Sequence, residues 1–74
     1  MKYAKSTQPL INVNDDLEIV LEWWNGKKKL TIYISQGGYL EFIKIWGANM
    51  ESEMEDGLIR SESDHKDLFS WLAN

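Results

Sequence analysis

Two glycine-containing dipeptides, Asn25-Gly26 and Gly37-Gly38, divide the middle of the chain into three segments rich in apolar residues. Asn-Gly flanked by alternating apolar residues is a strong β-hairpin signal, because both central residues of a type I′ turn need a positive φ that asparagine and glycine tolerate. Gly37-Gly38 has the same conformational freedom one segment later. The two dipeptides therefore predict a three-stranded antiparallel meander.

The register that each turn implies assigns the side chains to two faces of the sheet. With two-residue turns, the first dipeptide pairs Trp24 with Lys27, and the second pairs Ile32 with Ile43. One face is then entirely aliphatic and mostly β-branched, as a packed sheet surface prefers. This predicted core face consists of Leu17, Ile19, Leu21, Leu30, Ile32, Ile34, Ile43 and Ile45.

The last segment of the chain predicts the cover for this face. Ser61 to Asp64 can cap a helix that runs from Asp64 to about Ala73. Its apolar residues recur at helical spacing, at Leu68, Phe69, Trp71 and Leu72. We therefore predict an α+β fold: a small antiparallel β-meander of three to five strands with one C-terminal α-helix packed on one sheet face. Its 74 residues are expected to form a single domain, 1–74.

Two further segments are open to more than one interpretation. Ile11 to Val13 fits either a short edge strand or part of an extended polar arm, and residues 1–9 are a candidate flexible arm. The alternation of residues 50–55 favours a charged edge strand, although its methionines also fit one helical turn. Asp56-Gly57 is interpreted as a further turn.

Composition predicts neither an enzyme nor a cofactor or metal site. The chain has no cysteine, and its single histidine, His65, is expected to be solvated or to cap the helix. No catalytic residue is predicted, because neighbouring exposed glutamates lack the desolvation that acid–base catalysis needs. Without an apolar leader or a run of about 20 apolar residues, the sequence predicts a complete, soluble, cytoplasmic chain with no membrane partner.

The face opposite the predicted core is unusually aromatic. The two-residue turns place four aromatic residues on it: Trp24, Tyr33, Phe42 and Trp46. Aromatic side chains are enriched at the centres of protein interfaces, so this face is a predicted partner-binding surface. The alternative is that the N-terminal arm or the loop after Trp46 folds over it as a second small core.

Charge suggests the kind of partner. Acidic residues concentrate after residue 50 although the net charge is only −4, and four of them are candidate partner-binding residues: Glu51, Glu53, Glu55 and Asp56. Such a segment can steer the chain toward a basic macromolecule. We hypothesise a non-enzymatic protein-interaction module, an inhibitor or regulator. Its size and charge resemble those of phage anti-CRISPR proteins, immunity proteins and antitoxins.

Two alternatives use parts of the same surface. Lys27, Lys28 and Lys29 at the first hairpin tip, beside Trp24, could bind single-stranded nucleic acid by stacking next to a basic track. The acidic segment would repel phosphate, so nucleic acid is the weaker alternative. The aromatic face could also pair with a second copy of itself in a homodimer.

Overall fold

The computed structural model describes residues 8–49 and 52–73. They form the strands β1 (Leu10–Val13), β2 (Ile19–Asn25), β3 (Lys28–Ile34), β4 (Leu40–Ile45) and β5 (Met54–Ile59), followed by the helix α1 (Glu62–Ala73). The strands are antiparallel and lie in chain order, β1-β2-β3-β4-β5. The helix packs across one face, which confirms the predicted α+β meander with a C-terminal helix.

The core lies between α1 and the side of the sheet that carries Leu21, Leu30 and Ile32, here called the helix face. Leu30 is completely buried at 0% exposure and packs in one cluster with Leu72. Trp23, which was absent from the predicted core, packs edge-on against the ring of Phe69 with 4.9 Å between ring centroids. A cluster of this kind stabilises by about 1.5–3 kcal/mol per fully buried large side chain.

The first hairpin turns one residue later than predicted. Asn25 pairs with Lys28, so the loop is Gly26-Lys27, and Gly26 supplies the positive φ of 63° at the first loop position, as in a type II′ turn. The predicted pairing of Trp24 with Lys27 is therefore wrong, and Trp24 lies opposite Lys29. Because the register changes by two residues, every side chain stays on its predicted face.

The second hairpin has a three-residue loop where a two-residue loop was predicted. The Ser35 amide donates to the Tyr39 carbonyl at 3.0 Å, and the Gly38 amide donates to the Ser35 carbonyl at 3.0 Å. Gly38 adopts a φ of 87°, so Gly37-Gly38 is not the whole loop. With one loop residue more than predicted, the register between β3 and β4 shifts by one residue, and each β4 side chain lies on the face opposite to the predicted one.

The exchange of the two side-chain faces of β4 changes which residues belong to the core. Ile32 lies opposite Phe42 and not opposite Ile43. Phe42 therefore belongs to the helix face, while Ile43 and Ile45 lie on the opposite side of the sheet, here called the open face. Predicting Ile43 and Ile45 as helix-covered core was wrong, because Gly37-Gly38 allows loops of either length.

Residues 10–13 form a strand and not an extended polar arm, while most of the candidate flexible arm, residues 1–7, lies outside the described residues. β1 pairs with β2, with Ile11 opposite Leu21 and Val13 opposite Ile19. A three-residue loop after Asn14 joins the two strands, with Leu17 at a φ of 61°. Leu17 and Ile19 were predicted as core but are exposed, because α1 does not reach this corner of the sheet.

β5 and α1 also have different bounds from those predicted. Asp56-Gly57, predicted as a turn, lies within β5, where Gly57 faces Phe42 so closely that an added Cβ would lie 3.0 Å from the ring. The helix begins at Glu62, two residues early. Ser61 is its N-cap, since the Ser61 hydroxyl accepts the Asp64 amide at 3.2 Å, while the Asp64 carboxylate accepts the Arg60 amide at 2.9 Å.

The C-terminal end of α1 is held by the first hairpin. The Asn25 side-chain amide donates to the Leu72 carbonyl at 2.6 Å, and the Lys28 ammonium donates to the Trp71 carbonyl at 2.7 Å. These are carbonyls that a helix end leaves without an intrahelical partner, and α1 has no basic residue of its own in its last turn. The hairpin tip therefore fixes the helix to the sheet.

Candidate partner-binding surface

The open face is a shallow concave surface centred on Tyr33. In the register, Tyr33 lies between Val20 and Glu41. Thr31, in the next row of the same face, is only 3% exposed although no helix covers it, because larger side chains flank it in the register. The centre of this face is thus already partly dehydrated.

Two cavities meet at Tyr33. The first, about 310 Å³, extends toward β5 and is lined by Glu18, Tyr33, Glu41, Phe42, Ile43, Asp56, Gly57 and Leu58. The second, about 540 Å³, extends toward β1 and is lined by Leu10, Ile11, Asn12, Asn14, Val20, Glu22 and Tyr33. They adjoin at Tyr33 and are together called the groove. Buried or half-buried Val20, Tyr33 and Ile43 form its floor, and exposed Glu41 and Asp56 lie at its rim, a combination found at binding surfaces.

The rim of this groove is acidic. Its carboxylates come from β2, β4, β5 and the turn before β2: Glu18, Glu22, Glu41 and Asp56. The Lys29 ammonium compensates one of them, since it lies 3.3 Å from the Glu22 carboxylate. Glu18 accepts a hydrogen bond from the Asn14 side-chain amide at 2.9 Å, which leaves its charge in place. Negative charge therefore dominates the groove.

Trp24 lies at one end of the open face and is 54% exposed. The Lys29 ammonium is 4.9 Å from the centre of its ring, a cation–π distance. The same ammonium pairs with the Glu22 carboxylate, so Lys29 links Trp24 to the acidic rim. Of the predicted aromatic anchors, Trp24 and Tyr33 share the open face.

The other two predicted anchors, Phe42 and Trp46, lie on the helix face. The Trp46 ring contacts the Trp71 ring of α1, with centroids 6.1 Å apart, and the Lys44 ammonium lies 6.0 Å from the centre of the Phe42 ring. The single aromatic face was therefore wrongly predicted for these two residues. The cause is the three-residue loop before β4, which places the side chains of Phe42 and of Trp46, directly after β4, on the helix face.

The predicted acidic segment is also divided. Asp56 belongs to the open face, whereas the Glu55 carboxylate lies 3.0 Å from the Lys44 ammonium on the helix face. The Glu53 carboxylate accepts the Asn49 amide at 3.0 Å and occupies the space where a Cβ on Gly47 would lie. Glu51 lies outside the described residues. Of this segment, Asp56 alone is brought to the groove among the residues that the structure describes.

The three lysines of the first hairpin do not form one basic surface. Lys28 points to the helix face, where it donates to α1 and lies 5.2 Å from the Trp71 ring centre. Lys29 points to the open face and pairs with Glu22. Lys27, in the loop, is exposed. The three lysines are therefore divided between the two faces of the sheet and the loop.

The groove also contains residues that sequence reasoning missed, among them Glu18, Glu41, Ile43 and Leu58. The signal that could have found them is local. Ser35 precedes the second glycine pair, and its hydroxyl accepts the Tyr39 amide at 3.0 Å, which favours the three-residue loop and the reversed β4.

Within residues 8–49 and 52–73, no group of three or more histidine, cysteine or acidic side chains is arranged to hold a metal ion. No helix in this part of the chain is long and apolar enough to span a membrane. The His65 ring contacts the Phe69 ring at an interplanar angle of 45°, with 4.7 Å between ring centroids. No protein-family model, curated protein or solved structure matches the chain at a significant level.

Proposed function

We propose that this protein is a non-enzymatic interaction module that docks on a basic protein partner through the open face of its sheet. The observation that carries the proposal is the groove at Tyr33, which combines a partly dehydrated apolar floor with a rim of carboxylates. Inhibitors and regulators of the anti-CRISPR, immunity-protein or antitoxin type act by such docking, and we place the chain in this functional class.

The apolar part of the groove supplies the affinity in this proposal. Tyr33 and Trp24 have large, stiff side chains that lose little conformational entropy on binding, and such residues dominate binding energies at interfaces. Ile43 and Leu58 extend the apolar floor toward β5. A partner side chain that fills the groove would displace water from surface that the sheet already shields.

The carboxylates supply orientation and association rate. Glu41 and Asp56 are exposed at the rim, so their field reaches an approaching partner. Rim charges mainly raise the association rate, and at physiological ionic strength salt screens their field beyond about 8 Å. A partner with lysines or arginines around an apolar protrusion would match this surface.

Affinity capture from a lysate with three single variants tests the proposal. Tyr33→Ala removes the central anchor, and Asp56→Lys reverses one rim charge. Asp67→Lys, at an exposed position of α1, is the matched control because it changes the net charge equally at a residue that does not line the groove. We expect a basic protein that is captured by the wild type and by Asp67→Lys but is lost with the two groove variants.

The captured protein should then be purified and its association rate measured at low and moderate salt. The rate should fall with added salt, and Asp56→Lys should lower it further. Capture that is indifferent to both groove variants would contradict the proposal. Quenching of tryptophan fluorescence by a single-stranded oligonucleotide, reversible by salt, would instead support nucleic-acid binding.

A further inference from the structure

Within residues 8–49 and 52–73, no further strand pairs with the outer edge of β1. The Asn14 amide donates to the Glu18 carbonyl at 3.1 Å, so this pair is hydrogen-bonded across β1 and β2. Hydrogen-bonded and non-hydrogen-bonded pairs alternate along an antiparallel ladder. Ile11 and Val13 therefore direct their amides and carbonyls away from β2. The Val13 amide donates to the neighbouring Asn12 side chain at 3.1 Å, a local bond that a partner strand can replace.

The side chains along this edge are apolar and exposed. Ile11 is 69% and Val13 is 59% exposed, and the exposed Ile19 lies opposite Val13 on the same face of the sheet. The helix contacts β2, β3 and β5 but not β1. A helix is about 10 Å wide and neighbouring strands are about 4.8 Å apart, so one helix cannot cover five strands.

We propose that β1 pairs with β1 of a second copy of this chain, so that two sheets join into one across a two-fold axis. The axis passes through Asn12, which places Ile11 of each copy opposite Val13 of the other. Both members of this pair point outward, so each pair can exchange both backbone hydrogen bonds. A two-fold axis through Ile11 would pair Val13 with Pro9, which has no amide hydrogen to donate, and an axis through Val13 would pair Ile11 with the turn residue Asp15. The register centred on Asn12 avoids both.

A second copy fits this edge because the pairing is self-complementary in shape and charge. β1 contains no charged residue, and the two-fold register sets Ile11 and Val13 side by side on one face and Asn12 against Asn12 on the other. Asp15 of one copy would face Pro9 of the other, so no carboxylates meet although the net charge is −4. Short strand pairs bury little area, so the dimer should be weak and dependent on concentration.

Sedimentation velocity from about 5 to 500 μM, a range that brackets micromolar affinities, tests the dimer with a matched pair of variants. Ile11→Lys places a charge on the edge and should raise the dimer dissociation constant at least tenfold. Tyr39→Lys makes the same charge change at an exposed turn position and should leave the constant unchanged. Equal urea midpoints for the two monomers establish that the fold is kept.

Amide hydrogen exchange identifies the interface independently of any variant. Exchange at Ile11 and Val13 should slow as the wild-type concentration rises, while exchange at Asn12, whose amide faces β2, should not change. A monomer at every concentration would overturn the proposal. So would a dimer that survives Ile11→Lys but is lost with Tyr33→Ala, or protection of Ile11 and Val13 that does not depend on concentration.

Discussion

β1 and β5 are both edge strands, but they differ in charge and in their relation to the helix. β5 carries Glu55 and Asp56, and α1 packs against it. β1 is uncharged and has no contact with α1. Charged side chains on an edge oppose pairing with another strand, whereas an apolar edge allows it. The comparison favours the β1 edge over the β5 edge for the strand pairing that we propose.

The largest expected effect tests whether α1 is the main cover of the core, since β5 contacts this helix and β1 does not. Leu72→Ala removes a buried side chain at the centre of the contact between α1 and the sheet. The free energy of unfolding should fall by about 2–5 kcal/mol, because a cavity remains where the helix packs. Urea unfolding followed by tryptophan fluorescence measures this change. A fall below about 1 kcal/mol would mean that α1 is not the main cover of the core.

The next prediction compares one apolar residue from each edge. Ile59 of β5 packs against the core, whereas Ile11 of β1 is exposed. Ile59→Ala should lower the free energy of unfolding by about 1–3 kcal/mol, and Ile11→Ala should change it by less than about 0.5 kcal/mol. The measurements belong at low micromolar concentration, where dimer formation adds no stability. Similar losses for the two variants would show that both edges are equally covered.

A smaller effect is expected where β5 joins α1. Ser61→Ala removes the N-cap hydroxyl that accepts the Asp64 amide. It should lower the free energy of unfolding by about 1 kcal/mol. Ser63→Ala, on an exposed side chain two residues later, is the matched control and should have almost no effect. If both variants behave alike in thermal unfolding, the hydroxyl of Ser61 does not cap the helix.

The smallest effect concerns the turn that leads out of β1. Leu17 and Gly38 occupy equivalent positions in two three-residue loops, and both have a positive φ. Leu17→Gly should raise the free energy of unfolding by about 0.5 kcal/mol, because relief of left-handed strain exceeds the entropy cost of glycine. Gly38→Ala should lower it by about 1 kcal/mol. Calorimetric changes of the same sign would contradict the equivalence of the loops.

How much of the fold the sequence predicts depends on what each turn requires. At Asn25-Gly26 an error of one residue in the loop moved the register by two, so the faces of β2 and β3 were predicted correctly. At Gly37-Gly38 the loop gained one residue and β4 was reversed. The Trp46 ring thereby left the candidate site, the Phe42 side chain moved to the helix face, and Ile43 joined the floor of the groove. Glycine pairs identify a turn, but they do not fix its length.

The sequence by itself determined the alternation of the strands, the C-terminal helix and its apolar stripe, because these follow from local periodicity and capping. Tertiary structure decided which side of β4 faces the helix and which edge stays open. The orientation of β4 depends on whether the loop before it has an even or an odd number of residues. The uncovered edge depends on where α1, which is narrower than the sheet, is held. Asn25 and Lys28 hold it from the far end of a hairpin, over separations that no local pattern encodes.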